Sequence, residues 1–425
     1  MTRTEACLFY DISFVAETKA QDGVVPVKYE ARYEVHFQVK TDAHGDSIKT
    51  WVQINPVYNN FPGDENAVVM GAGDPNAWFD SMCVSAACNA GGDSNRQNID
   101  FYGDLTWKGG ISGNTPVDTH MATGTADHKW NGSVQNASGT TDGDLSAIMA
   151  VSFNARPVTY VDPPPGIDGR KREWKDDYTG WQSPSLIVAC DKVAFNGTPG
   201  CVLPQYAPTY RFNTAAYPEA AAHAWVIQNK SKIAGVGQSW DAPLKYLAPQ
   251  ARNKEAYEPQ RSRDAMCTRY QGAKSASTGW VPRKTFLPHP KTALHHVGPH
   301  LDEVNCDEFP FASTYQSAGM KAVNGGLNEA PNGGADCIQT VSAVADDGKT
   351  HFLDDTRYDA PSFTENCGRS SMSGDVNQGS MRPFGEFAKA MRLLDTQDYF
   401  LDPGNAWFKG CDTSKAVLVC TMAKP

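Results

Sequence analysis

Two acids stand side by side in the stretch "NCDEFPFAST", residues 305–314: Asp307 and Glu308 follow Cys306 directly and run into an apolar, proline-containing segment. Charges that merely decorate a surface are scattered. A pair at the mouth of a buried strand suits a metal site or a proton-transfer site, because hard divalent cations take carboxylate and amide oxygens. Neighbours on a regular strand point to opposite faces. Both acids therefore address one ion only if a bulge turns them inward; otherwise one acts at the site while the other orients a neighbour. Asp307 is the expected direct participant, as base or metal ligand. The competing reading is structural: two acids at a strand end, hydrogen-bonded to backbone. Upstream, His289, His295, His296 and His300 crowd the approach to the pair. A histidine base or a zinc site could draw on them, but "HPKTALHHVGPH" has no i,i+4 pair flanking a glutamate and reads as a solvated loop.

The elements around this pair fall into a β-rich first part and a mixed second part. In "YEARYEVHFQVK", Tyr29, Ala31, Tyr33, Val35, Phe37 and Val39 alternate with polar residues, the period-2 pattern of a half-buried strand. "TWVQINPVY" and "AIMAVSFNA" read as further strands, separated by Gly/Asn/Asp/Ser-rich connections such as "NAGGDSNRQN", and together they suggest an antiparallel sandwich. "VDPPPGIDGRKREWK" interrupts them with a stiff proline run and the densest basic run, Arg170, Lys171, Arg172 and Lys175, which reads as a solvated loop rather than a phosphate contact. "SLIVACDKVAFNGTPGCVLPQY" reads as two strands around a disulfide-closed turn, and "PEAAAHAWVIQNK" as a short helix with Pro218 at its start. Beyond residue 250, "MRPFGEFAKAMRLL" carries Phe384, Phe387, Ala388, Met391 and Leu394 at helical spacing, and "AVLVCTM" reads as a strand.

At 425 residues the chain exceeds one ordinary core. The expected division is a β-sandwich-like domain over 1–160, a β-rich connecting region over 161–250 and a further domain over 251–425. Its net charge of −10 excludes a dedicated nucleic-acid binder with a large basic face. It leaves room for a fast-turnover enzyme with a small basic groove. The longest apolar runs are too short to span a bilayer, and the start "MTRTEACLFYD" has no apolar core of a signal peptide. Of 11 cysteines, ten after Cys7 fall into five sequential couples. With no CxxC pair, disulfides in an oxidising compartment are expected rather than a zinc ribbon, with Cys7 left over.

"CDEFPFAST" resembles the active-site motif of the NucA/NucB family of bacterial deoxyribonucleases: the Asp-Glu pair, the following aromatic, the proline and the small-residue tail. Asn377 sits where that family has an asparagine opening a helix, and "RSRDAMC" resembles its Arg-rich approach to a cysteine. The match covers roughly residues 261–400. The resemblance implies a C-terminal α+β nuclease domain of ββα-metal type following the all-β N-terminal region. It implies an extracellular, metal-dependent endodeoxyribonuclease acting on DNA with Mg²⁺ or Mn²⁺. By the same resemblance Asp307 and Glu308 are catalytic, Glu308 and Asn377 hold the metal, and Arg392, Gln316 and Ser313 meet the substrate. The residues suit this chemistry, since phosphodiester hydrolysis needs a nucleophile and charge stabilisation on the phosphoryl oxygens. Two departures stand out. Gln316 replaces a usual glutamate, and "QGSM" after Asn377 lacks a usual arginine. Two alternatives remain open. One is a surface- or partner-binding protein with a degenerate nuclease domain, its β region gripping polysaccharide or protein. The other is a toxin effector delivered by a secretion machine.

Overall fold

Alternation governs the first half of the molecule, and close helix-on-sheet packing governs the second. A computed structural model describes residues 2–18, 28–59, 77–85, 87–88, 96–98, 100–102, 122–133, 146–157, 172–174, 181–195, 197–248, 259–267, 292–293, 304–345, 350–355, 358–411 and 418–420. These are mostly β, with few helices. Two compact units divide the chain, Met1–Tyr206 and Ala207–Pro425. The division differs from the three expected parts: residues 207–248, expected to belong to a connecting region, pack within the second unit.

The first unit is built from β1 (Glu5–Thr18), β2 (Lys28–Thr41), β3 (Ser47–Asn59), β4 (Ala77–Val84), β5 (Arg96–Asn98), β6 (Asp100–Tyr102), β7 (Ala122–Lys129), β8 (Ser146–Pro157), β9 (Arg172–Trp174), β10 (Trp181–Gln182), β11 (Leu186–Asp191) and β12 (Gly200–Val202). One sheet runs β6-β7-β3-β2-β1-β9; the other runs β12-β11-β8-β4-β5, with β10 against β8. All these pairings are antiparallel. Every second residue of β2 from Val35 (Val35, Phe37, Val39) is fully buried, as the sequence pattern requires. They share one core with Ile48, Val52 and Ile54 of β3, Met149 and Val151 of β8 and Val188 of β11, so inward faces of both sheets meet. Inside that core His128 Nε2 lies 2.8 Å from Ser81 Oγ. Disulfides Cys83–Cys88 and Cys190–Cys201 lock the second sheet; the latter joins directly paired positions of β11 and β12. Cys7 is free.

The second unit comprises β13 (Thr209–Arg211), α1 (Pro218–Lys230), β14 (Leu244–Lys245), α2 (Pro259–Met266), β15 (Thr292–Ala293), β16 (Val304–Phe309), β17 (Ile338–Ala345), β18 (Thr350–Asp354), β19 (Gly368–Ser373), α3 (Gly374–Met381), α4 (Phe384–Ala390), β20 (Asp398–Asp402) and β21 (Leu418–Cys420). Its main sheet runs β16-β19-β17-β18-β21, with β15 against β17, so β16 is an edge among the described residues. A small sheet, β13-β20-β14, stands beside it. Pro218 opens α1, as expected from the fixed φ of proline. Ala220, Ala221, Ala222 and Ala224 are almost fully buried. Their small side chains let α1 lie close across the main sheet, packing on β16, β17, β18 and β19. Residues of α1, β13, β14, β16, β18, β19, α3, α4 and β20 form one hydrophobic core.

The single amphipathic helix expected over 381–394 is instead broken. The segment preceding it, α3, ends at Met381 and α4 covers only Phe384–Ala390. Pro383 has no N–H to continue the ladder, and Arg392 turns to φ 48° just past the α4 cap. Phe384 and Ala388 are buried one helical turn apart, so the apolar spacing was sound while the helix length was not. The basic run near 170–175, apart from the β9 backbone, and the histidines at 289, 295, 296 and 300 lie outside the described residues.

Candidate active site

The acid pair sits on β16, and the edge position of that strand resolves the two-face problem. Asp307 pairs with Ser370 and Glu308 with Arg369 across β19, so the strand keeps regular alternation at the pair. A cavity of about 140 Å³ nevertheless takes both acids into its wall, together with Arg263, Ser313 and Asn377. An interior strand offers its two faces to two different layers. An edge strand lets a cavity alongside it reach residues from both faces without a bulge.

Asp307 and Glu308 are each about 6% exposed. Behind Asp307 lies His223 of α1, whose Nδ1 is 2.6 Å from Asp307 Oδ2. With Asp307 as a carboxylate acceptor, the ring N–H is the donor of this bond. His223 is fully buried, its Nε2 has no hydrogen-bond partner, and it does not line the cavity. Glu308 turns the other way, to Arg263 of α2, whose Nε donates to Glu308 Oε1 at 3.1 Å. Burial pushes the Glu308 carboxyl above the ordinary glutamate range; Arg263 opposes the rise and Asp307 adds to it. The disulfide Cys267–Cys306 fastens the residue after α2 to the residue before Asp307, across 39 positions of sequence. Its Cys267 Sγ lies 3.8 Å from Glu308 Oε2. A second bridge, Cys337–Cys367, ties the start of β17 to the start of β19.

Asn377 does not open its helix. Ser373 holds the N-cap position and Asn377 lies one turn inside α3. Its Nδ2 donates to the Cys306 carbonyl at 3.0 Å, pinning α3 to the edge strand. Its Oδ1 is then the atom it can offer the cavity. The segment after β16 turns out through a cis Phe309–Pro310 peptide and brings Phe311, Ala312 and Ser313 to the cavity wall.

The structure thus gathers Asp307, Glu308, Ser313 and Asn377 around one space and leaves Gln316 and Arg392 outside it. Gln316 spends both ends of its amide on the 243–245 segment: Nε2 donates to the Pro243 carbonyl and Oε1 accepts from the Lys245 N–H, each at 2.9 Å. Arg392, which the resemblance places against the substrate, is 1% exposed and does not line the cavity. Two residues of the site carry no mark in the sequence reading. Arg263 lies within "RSRDAMC" but was not singled out there, and His223 was read as one position of an ordinary helix. The available signal for His223 was a lone imidazole among alanines, a setting that buries whatever it holds.

A divalent cation is compatible with these donors. Among the described residues no group of three or more His, Cys, Asp or Glu side chains is placed to hold a metal ion. Glu308 and Asn377 instead offer one carboxylate and one amide oxygen to the same cavity. Mg²⁺ is commonly bound through one or two carboxylates, with water and phosphate oxygens completing its shell. No family model, curated protein or solved structure matches the chain.

Proposed function

We propose that the protein is an exported, metal-dependent deoxyribonuclease and that the cavity beside β16 is its active site. The observation that carries this reading is the convergence of Asp307, Glu308 and Ser313, from one short segment, with Asn377 and Arg263, each far from it along the chain, on one small cavity. The antiparallel strands β16 and β19, followed directly by α3, support a ββα arrangement in which both strands and the helix serve one site. The four disulfides between described residues support an oxidising destination, and no described helix is long and apolar enough to cross a membrane.

In this reading Asp307 takes a proton from the attacking water. Arg263, partly exposed and already directed at the acid pair, meets a phosphate oxygen. Ser313 lies where it can hydrogen-bond the substrate backbone. Glu308 and Asn377 would hold Mg²⁺ or Mn²⁺, which when bound supplies positive charge to the phosphoryl and leaving oxygens. The test is plasmid nicking with Mg²⁺, with Mn²⁺ and with EDTA. The parent should nick in both metals and stop in EDTA. Asp307→Asn keeps the shape and removes the basicity, so its rate should fall by roughly 10²–10⁴. A variant as fast as the parent would return the acids to a structural role.

A second reading is a partner-binding protein whose second unit keeps such a fold without its chemistry. One observation favours it: Gln316, in place of the carboxylate usual in the family it resembles, is spent on backbone contacts outside the cavity.

A further inference from the structure

We infer that His223 is the positioning residue for Asp307, an imidazole that fixes the carboxylate from behind so that one chosen oxygen addresses the cavity; this rests on the nuclease reading above. Three features make the arrangement more than a chance buried contact. The first is directional. With Oδ2 held at 2.6 Å by His223 Nδ1, Oδ1 is the oxygen left for the cavity that Asp307 lines and His223 does not. An unheld carboxylate can rotate about its last bond and present either oxygen at many angles; a held one cannot, and reacting geometry tolerates little error.

The second feature is the clamp on the ring itself. A methyl group at Gly368 would come within 2.4 Å of His223 Nε2 and 2.6 Å of the Ile227 side chain. Only a glycine lets α1 approach β19 so closely. Phe352 packs beside the imidazole, its ring centre 6.0 Å from that of His223. The imidazole therefore has one setting, and passes that setting on to Asp307.

The third is cost. His223 Nε2 is buried without a partner, and an unsatisfied buried polar atom is unfavourable. A purely structural position beneath a sheet would be better filled by an aliphatic side chain. The orphaned nitrogen is accounted for if the other nitrogen is what the site uses.

The experiment compares three variants in steady-state cleavage of a DNA duplex with Mg²⁺, with folding checked by circular dichroism. His223→Leu fills the space and removes the donor. His223→Asn places an amide N–H near the position of Nδ1, whereas His223→Gln places it near that of Nε2. Leu and Gln should each lower kcat roughly 10–100-fold, the usual range for losing a group that orients an active residue, with KM within about twofold of the parent. Asn should restore kcat to within a few-fold. A leucine variant with parental kcat overturns the inference, as does a loss that sits in KM. Should the leucine variant fail to fold, the Asn and Gln pair decides, and equal kcat in these two overturns it. An active parent with these failures leaves the nuclease reading standing; a parent that cuts no DNA overturns both.

Discussion

Single side chains in this protein are read correctly only when both ends of their hydrogen bonding are followed. Gln316 is the clearest case. Gln316→Glu, which would restore the carboxylate usual in the family that the motif resembles, looks like a repair in the sequence, yet the Pro243 carbonyl would lose its donor and face an oxygen. The variant should be less stable by about 1–3 kcal/mol and no faster; thermal melting and the nicking rate check both, and a faster variant would mean that position 316 reaches the reacting centre after all. His128 supplies a second case. Burial beside Ser81 pushes its imidazole down to about 4 from an ordinary 6.5, with Asp127 only partly opposing the shift. The unfolded chain therefore takes up that proton first as pH falls. This contribution is intact above about pH 6.5 and is lost progressively down to about pH 4, a span worth roughly 3 kcal/mol. His128→Gln should flatten the stability profile in that window, and denaturant titrations at pH 7, 5.5 and 4 measure it. What the sequence revealed at this scale follows locality. Asp307, Glu308 and Ser313 share one short motif and were legible. His223 stands 84 positions from its partner, and nothing in its own neighbourhood announces an acid across the sheet.

Elements were legible where one face of a period decided them. β2 and α1 lie within a residue or two of where alternation and Pro218 put them. The helix expected to run through residue 392 was not, because a periodic apolar stripe does not report that Pro383 and a left-handed residue divide it. Nor did strand pattern say that β16 would be an edge, which is what allows adjacent acids to share a cavity. Element packing yields its own prediction at the contact between α1 and β19. Gly368→Ala must lift α1 or displace His223 and Ile227, since the added carbon would lie 2.4 and 2.6 Å from their side chains. Overpacking of this kind costs about 1–3 kcal/mol. The substitution touches no cavity-lining residue, yet activity should fall as it does in His223→Leu, and melting temperature should fall with it. Full activity in a folded Gly368→Ala protein would show that the setting of α1 is irrelevant to the acids.

For the molecule as a whole, the boundary matters more than the inventory of strands. A fragment beginning at residue 251 keeps the motif but discards α1, β13 and β14, and with them Tyr210, Ala220–Ala222, Val226, Ile227 and Leu244 from the second core. It should be insoluble or molten. A fragment over 207–425 retains that core and should fold and cut DNA, with cooperative melting and nicking as the two readouts; the reverse outcome would reinstate a boundary near 250. The β character of the first unit and the disulfide habit were evident from composition and alternation, whereas the boundary was hidden because α1 belongs by packing to strands that follow it much later in the chain. The bridge Cys267–Cys306 carries one more implication, about time. A chain leaving the ribosome holds both cysteines as thiols, its arginine on one span of main chain and its acids on another. On the chain-entropy account, closing 39 residues restricts the unlinked state by roughly 4 kcal/mol. Until an oxidant is met, that help is missing; under the exported-nuclease reading proposed above, the site is therefore least well assembled while the chain is still beside its maker's own chromosome.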